Sequence, residues 1–104
     1  MKIGFIGLGN VGGKLASNLL NNNFDLMVFD KDNDVINQFQ KKGSKVALSI
    51  EQLVSNNDIL ITCLPSPEAC KEVIESSKGI AASIKENQIW MEILHVVMIY
   101  QLLE

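Results

Sequence analysis

The sequence is poor in the residues that hold metals and cross-links: one histidine, His95, and two cysteines, Cys63 and Cys70, among 104 residues. A structural zinc site takes about four such ligands, so no metal site is expected. The two cysteines are separated by six residues and form no C-x-x-C pair, which reads as reduced thiols in a cytoplasmic protein. No apolar stretch reaches the roughly 20 residues that cross a bilayer, so no membrane partner is expected. The opening Met1-Lys2-Ile3-Gly4-Phe5-Ile6 puts one lysine ahead of an apolar run, but glycines interrupt that run and Asn10 ends it. A secretory signal is therefore not expected. Clustered basic charge is missing too. Only Lys41-Lys42 form a pair and the net charge is −3, which argues against a nucleic-acid surface. The length suits a single domain, and 47% hydrophobic residues is too many for a disordered chain.

What is present is an alternation of short apolar runs and amphipathic segments. Lys2 to Gly7, with Ile3, Phe5 and Ile6, predicts a first strand. Val11, Leu15, Leu19 and Leu20 recur at helical spacing, and Asn21-Asn22-Asn23 breaks that helix. Asp25 to Asp30 predicts a second strand. A second helix starts at Asp32 or Asn33, buries Val35, Ile36 and Phe39, and stops at Lys41-Lys42-Gly43. Lys45 to Leu48 is a short third strand. Ser49 and Gln52 form a capping box for a short helix through Leu53 and Val54.

The run Ile59-Leu60-Ile61-Thr62-Cys63-Leu64 has the continuous apolarity of a strand covered on both faces. Ser66-Pro67 opens a further helix with Val73 and Ile74 facing inward, closed by Lys78-Gly79. After a short piece at Ile80 to Ile84, Gln88 to Glu92 predicts a fifth strand, with Trp90 in the core. Strands alternating with helices point to the α/β class, a doubly wound parallel sheet in one domain.

Gly7-Leu8-Gly9-Asn10-Val11-Gly12 is a G-x-G-x-x-G motif. Alone the motif is weak; here it follows a predicted strand, opens a predicted helix, and has Asp30 at the end of the next strand. Gly7 permits the turn, Gly9 lets backbone approach a pyrophosphate, and Gly12 lets helix and sheet pack closely. The helix N-terminus offers unpaired N–H groups and partial positive charge to phosphates. Asp30 lies 18 residues past Gly12, where an acid hydrogen-bonds the adenosine ribose. Its charge repels a 2′-phosphate and favours NAD over NADP, while the adjacent Lys31 softens that preference. The competing readings are a ligand-free βα turn for the glycines and a capping or turn role for Asp30.

The stretch Phe5 to Gly12, continued by Leu15-Ala16-Ser17-Asn18-Leu19, resembles the N-terminal signature of the 3-hydroxyisobutyrate dehydrogenase family, the β-hydroxyacid dehydrogenases related to 6-phosphogluconate dehydrogenase. Family members usually carry methionine where Val11 and Leu15 stand. Asp58 to Pro65 is similar to the family's fourth strand and its Leu-Pro end. The resemblance spans residues 1–92 and implies a Rossmann domain binding NAD or NADP, with Leu64 and Pro65 beside the nicotinamide half. It also implies hydride transfer between the cofactor and a 3-hydroxy acid or its semialdehyde.

The sequence then departs from the family. Where the family carries a substrate-binding Ser-Thr motif, this chain has Ile93-Leu94-His95, followed by Val96-Val97-Met98-Ile99-Tyr100. The family's helical second domain and its catalytic lysine have no counterpart; none of Lys14, Lys71, Lys78 or Lys85 matches. The expectation is a dinucleotide-binding domain over 1–92 and a divergent tail over 93–104, truncated or out of frame near Met91. No catalytic residue is assigned, and His95 is read as a packed or surface residue. The tail's apolar residues form an exposed patch or a dimer strand, which leaves the oligomeric state open. Two other readings stand beside the leading one: a non-catalytic nucleotide-binding or redox-sensing module, and an imine or pyrroline-5-carboxylate reductase. A methyltransferase fits less well because its glycine loop is spaced differently.

Overall fold

A computed structural model describes residues 1–93. The expectations for His95 and for the apolar tail beyond Ile93 lie outside the described residues. In chain order the elements are β1 (Lys2–Ile6), α1 (Asn10–Asn21), β2 (Asp25–Phe29), α2 (Asn33–Lys41) and β3 (Lys45–Val46). They continue with α3 (Ile50–Asn56), β4 (Ile59–Thr62), α4 (Pro67–Glu75), α5 (Ile80–Ser83) and β5 (Ile89–Glu92).

The strands form one parallel sheet in the order β3-β2-β1-β4-β5. Period-2 alternation divides its faces. Ile3 and Phe5 of β1, Leu26 and Val28 of β2, and Ile61 of β4 pack with Ala16 of α1 and Phe39 of α2. Ile6 and Leu60 point the other way, onto Leu53 and Val54 of α3, Val73 of α4 and Ile80 of α5. Helices on both faces of a parallel sheet with this strand order make the fold Rossmann-like, and β1 is its centre. No helix among the described residues is long and apolar enough to cross a membrane.

Local chemistry places the elements as the sequence predicts. Asp32, Ser49 and Ser66 each accept a hydrogen bond from the backbone N–H two or three residues on, capping α2, α3 and α4. The Ser49 box is offset by one residue, because the Gln52 side chain accepts from Leu48 N–H rather than from Ser49. Gln88 extends the same logic over long range. Its amide donates to the carbonyls of Val54 (2.5 Å) and Asn57 (2.8 Å) at the C-terminal end of α3.

Three expectations are corrected. The first concerns the strand ends: Gly7, Asp30, Cys63 and Leu64 lie beyond their strands, because at this edge the chain turns to line a cavity. The second concerns α1, where Val11 and Leu15 are exposed and the small Gly12 and Ala16 face the sheet. Small residues let this helix sit close to the strands. The third is Trp90, which is not a core residue. β5 is an edge strand among the described residues, and Ile89, Trp90 and Met91 are all exposed there. The indole is held at one point, its Nε1 donating to Thr62 Oγ1 at 3.1 Å. Ile93, expected to begin the divergent tail, prolongs the β4–β5 ladder through its N–H to Thr62 O at 2.8 Å.

Candidate functional site

β1 pairs with β2 on one side and β4 on the other, and the chain crosses over in opposite directions from that pair. Such a switch point leaves a crevice at the carboxyl ends of the strands, where open α/β sheets hold ligands. A cavity of about 770 Å³ occupies this place, within the range of small-molecule sites. Gly7, Gly9, Asn10, Val11 and Gly12 line it from the glycine turn, Asp30 and Lys31 from the end of β2, and Leu64 and Pro65 from the end of β4.

The glycines have different tasks. Gly7 has φ +98°, a conformation L side chains rarely adopt, and a Cβ there would meet the Cys63 carbonyl. Gly12 packs against Gly7 O and Cys63, leaving no room for a side chain. Gly9 differs from both. A Cβ at Gly9 would have no heavy atom within 4 Å, so nothing in the protein itself requires glycine there. Gly9 lines the cavity at the N-cap of α1. The N–H groups of Asn10, Val11 and Gly12 have no carbonyl ahead of them to bond, and the first bond of the turn runs from Gly13 N–H to Gly9 O at 2.7 Å.

Asp30 is tied to that turn. One carboxylate oxygen accepts from Leu8 N–H at 2.7 Å and the other from Asp32 N–H at 2.9 Å. The acid therefore closes a turn, and it also faces the cavity with lone pairs left over, since a carboxylate has about four acceptor positions. Leu8 is the one predicted site residue that does not line the cavity. Its side chain is buried in the core and its N–H is taken by Asp30.

The remaining walls carry no motif in the sequence. Ile6, Phe29, Ile50, Ala69 and Val73 give the cavity an apolar side beneath α3 and α4, and Cys63 lines it as well. The only available signal was position, since these residues end strands or begin helices at the same edge. Burial, and then the charge of Glu92, raise the thiols of Cys63 and Cys70 above the ordinary cysteine range. The Cys70 thiol lies 3.9 Å from a Glu92 carboxylate oxygen. At the rim, Lys31 Nζ meets Glu72 of α4 at 2.8 Å.

Comparison with known proteins identifies the architecture. A sequence model of the NAD binding domain of 6-phosphogluconate dehydrogenase matches residues 2–96. The chain belongs to that family. As an NAD-binding domain of the 6-phosphogluconate dehydrogenase type, it is 34% identical over 90 residues to the probable mitochondrial 3-hydroxyisobutyrate dehydrogenase of Dictyostelium discoideum. That match covers 86% of this chain and 28% of the relative, so the chain spans between a quarter and a third of that enzyme's length. Among solved structures, Psf3 in complex with NADP+ and 2-OPP superposes with a TM-score of 0.84 at 23% identity, over 88% of this chain and 32% of the other. The 3-hydroxyisobutyrate dehydrogenase of Mycobacterium tuberculosis with L-serine superposes at 0.76 with 25% identity, over 88% and 30% respectively.

Proposed function

We propose that this NAD-binding domain takes NAD in preference to NADP in the cavity at the glycine turn, and that it serves an oxidoreductase of the 3-hydroxyisobutyrate dehydrogenase type. The observation that carries the reading is the open space over Gly9, beside N–H groups that nothing in the helix satisfies and a carboxylate fixed by the same turn. A pyrophosphate there would receive the N–H groups of Asn10 and Val11 and the positive end of α1. Asp30 would accept from the adenosine ribose hydroxyls, and its charge supports NAD. The apolar side at Ile50 and Val73 suits an adenine ring. Leu64 and Pro65 would lie against the nicotinamide half.

When bound, the cofactor supplies the hydride exchanged with a 3-hydroxy acid or its semialdehyde. The residues of this chain bind and orient it. Localisation in the cytoplasm is supported by the two free thiols, although the Dictyostelium relative is named as mitochondrial.

Titration with NADH and NADPH, followed by Trp90 fluorescence and the dinucleotide's own emission, tests the reading. Tighter binding of NADH is expected. Gly9→Val should keep the fold, since its Cβ meets open space, yet lose binding by at least about tenfold. Asp30→Asn should narrow the NADH/NADPH ratio and weaken both, because an amide N–H would face the Leu8 or Asp32 N–H. Wild-type affinity in Gly9→Val would remove the pyrophosphate from this turn.

A further inference from the structure

We infer that Glu72, on α4, determines how strongly this domain discriminates against a 2′-phosphorylated dinucleotide. The inference rests on the proposed placement of the adenosine ribose beside Asp30. Lys31 is the one cation among the described residues lining the cavity, and the whole sequence contains no arginine. A lysine immediately after the ribose-binding acid is the natural partner for a 2′-phosphate. In this structure its ammonium is already engaged, 2.8 Å from the Glu72 carboxylate. The two residues are 41 positions apart, and the contact ties the end of β2 to the α4 wall, where Ala69 and Val73 line the same cavity.

The contact has two electrostatic consequences for the rim. A 2′-phosphate arriving next to Lys31 must share the ammonium with a carboxylate. It must also approach the negative charge of Glu72, in addition to that of Asp30, which lines the same cavity. A ribose with a free 2′-hydroxyl meets neither obstacle. Both side chains are more than half exposed, at 69% and 61%, so the pair holds the fold together only weakly. An exposed ion pair of this kind can be broken without unfolding the domain. Its effect is therefore on recognition.

The test is dinucleotide binding by Glu72→Gln. The ratio of the NADPH to the NADH dissociation constant is expected to fall about three- to tenfold, with an unchanged far-UV spectrum and thermal midpoint. In a Lys31→Met background, Glu72→Gln should produce a clearly smaller shift, since the freed ammonium is gone. In 0.5 M salt the shift should shrink, since screening acts on exposed charges. A ratio within twofold of wild type overturns the role of Glu72 while leaving the cofactor site standing, and an equal shift without Lys31 overturns the route through the Lys31 ammonium. Failure of the unaltered chain to bind either dinucleotide overturns the site, and this inference with it.

Discussion

Cys63 shows how a single residue takes its properties from its surroundings. Cys63 lines the cavity with its Cβ close to Gly12, and burial followed by the charge of Glu92 disfavours the thiolate. At pH 8 both Cys63 and Cys70 should therefore react with iodoacetamide more slowly than glutathione does, and alkylation as fast as glutathione's would show that the thiols are open to water. The same shift has a sign for stability. The unfolded chain ionises first, so the contribution is complete below the ordinary thiol value of 9.0 and is lost as pH rises through the higher folded value.

At this scale the sequence was most informative about backbone. The glycine spacing and Asp30 could be read because each answers a local demand of a turn. Glu72 could not, since its partner lies 41 residues away and the crossover geometry brings them together.

Among the elements, α3 packs tightly against β1, and one glycine makes that possible. A Cβ on Gly4 in β1 would fall 2.5 Å from Leu53 Cδ2 and 3.0 Å from Asn57 Nδ2. Leu53 is fully buried and Asn57 donates to Leu53 O at 2.6 Å, so neither can swing aside. Gly4→Ala should destabilise the domain by about 1–3 kcal/mol in urea unfolding, despite alanine's better backbone entropy. A neutral or stabilising result would mean that α3 can lift from the strand.

In sequence, Gly4 was only an interruption in a β-favouring run. Periodicity reports which face of an element is apolar and is silent on how near the next element comes. The error at Trp90 has the same origin. An aromatic residue in an apolar strand reads as core, yet burial depends on whether a neighbour covers the strand, and β5 is at the edge. The capping residues were legible for the opposite reason, because a cap bonds two or three residues away.

At the scale of the whole molecule, ligand binding and folding are linked because the cavity draws its walls from β1, β2, α1 and α4 at once. Ile50 of α3 belongs to those walls too, and on the β4 side they are the loop residues Cys63, Leu64 and Pro65 that follow the strand, so unfolding destroys every part of the cavity. NADH at a hundred times its dissociation constant should therefore stabilise the domain by about 2.7 kcal/mol. For a domain of this size that raises the melting temperature by roughly 10–20 °C, measurable by circular dichroism. An unshifted midpoint at saturating NADH would contradict the assignment of the cavity.

The central position of β1 also governs how the chain reaches its native state. Its residue Lys2 is in register with Asp25, and Ile3 with Ile59, so its two edges are completed by partners far apart in the chain. Synthesised from the N-terminal side, this most buried of strands must wait, one flank bare, until some sixty residues have emerged. Non-local pairing of this kind slows collapse to the final topology. The interval in which a chaperone would find sticky surface thus ends with β4, and the crevice at the switch point takes shape in the same event.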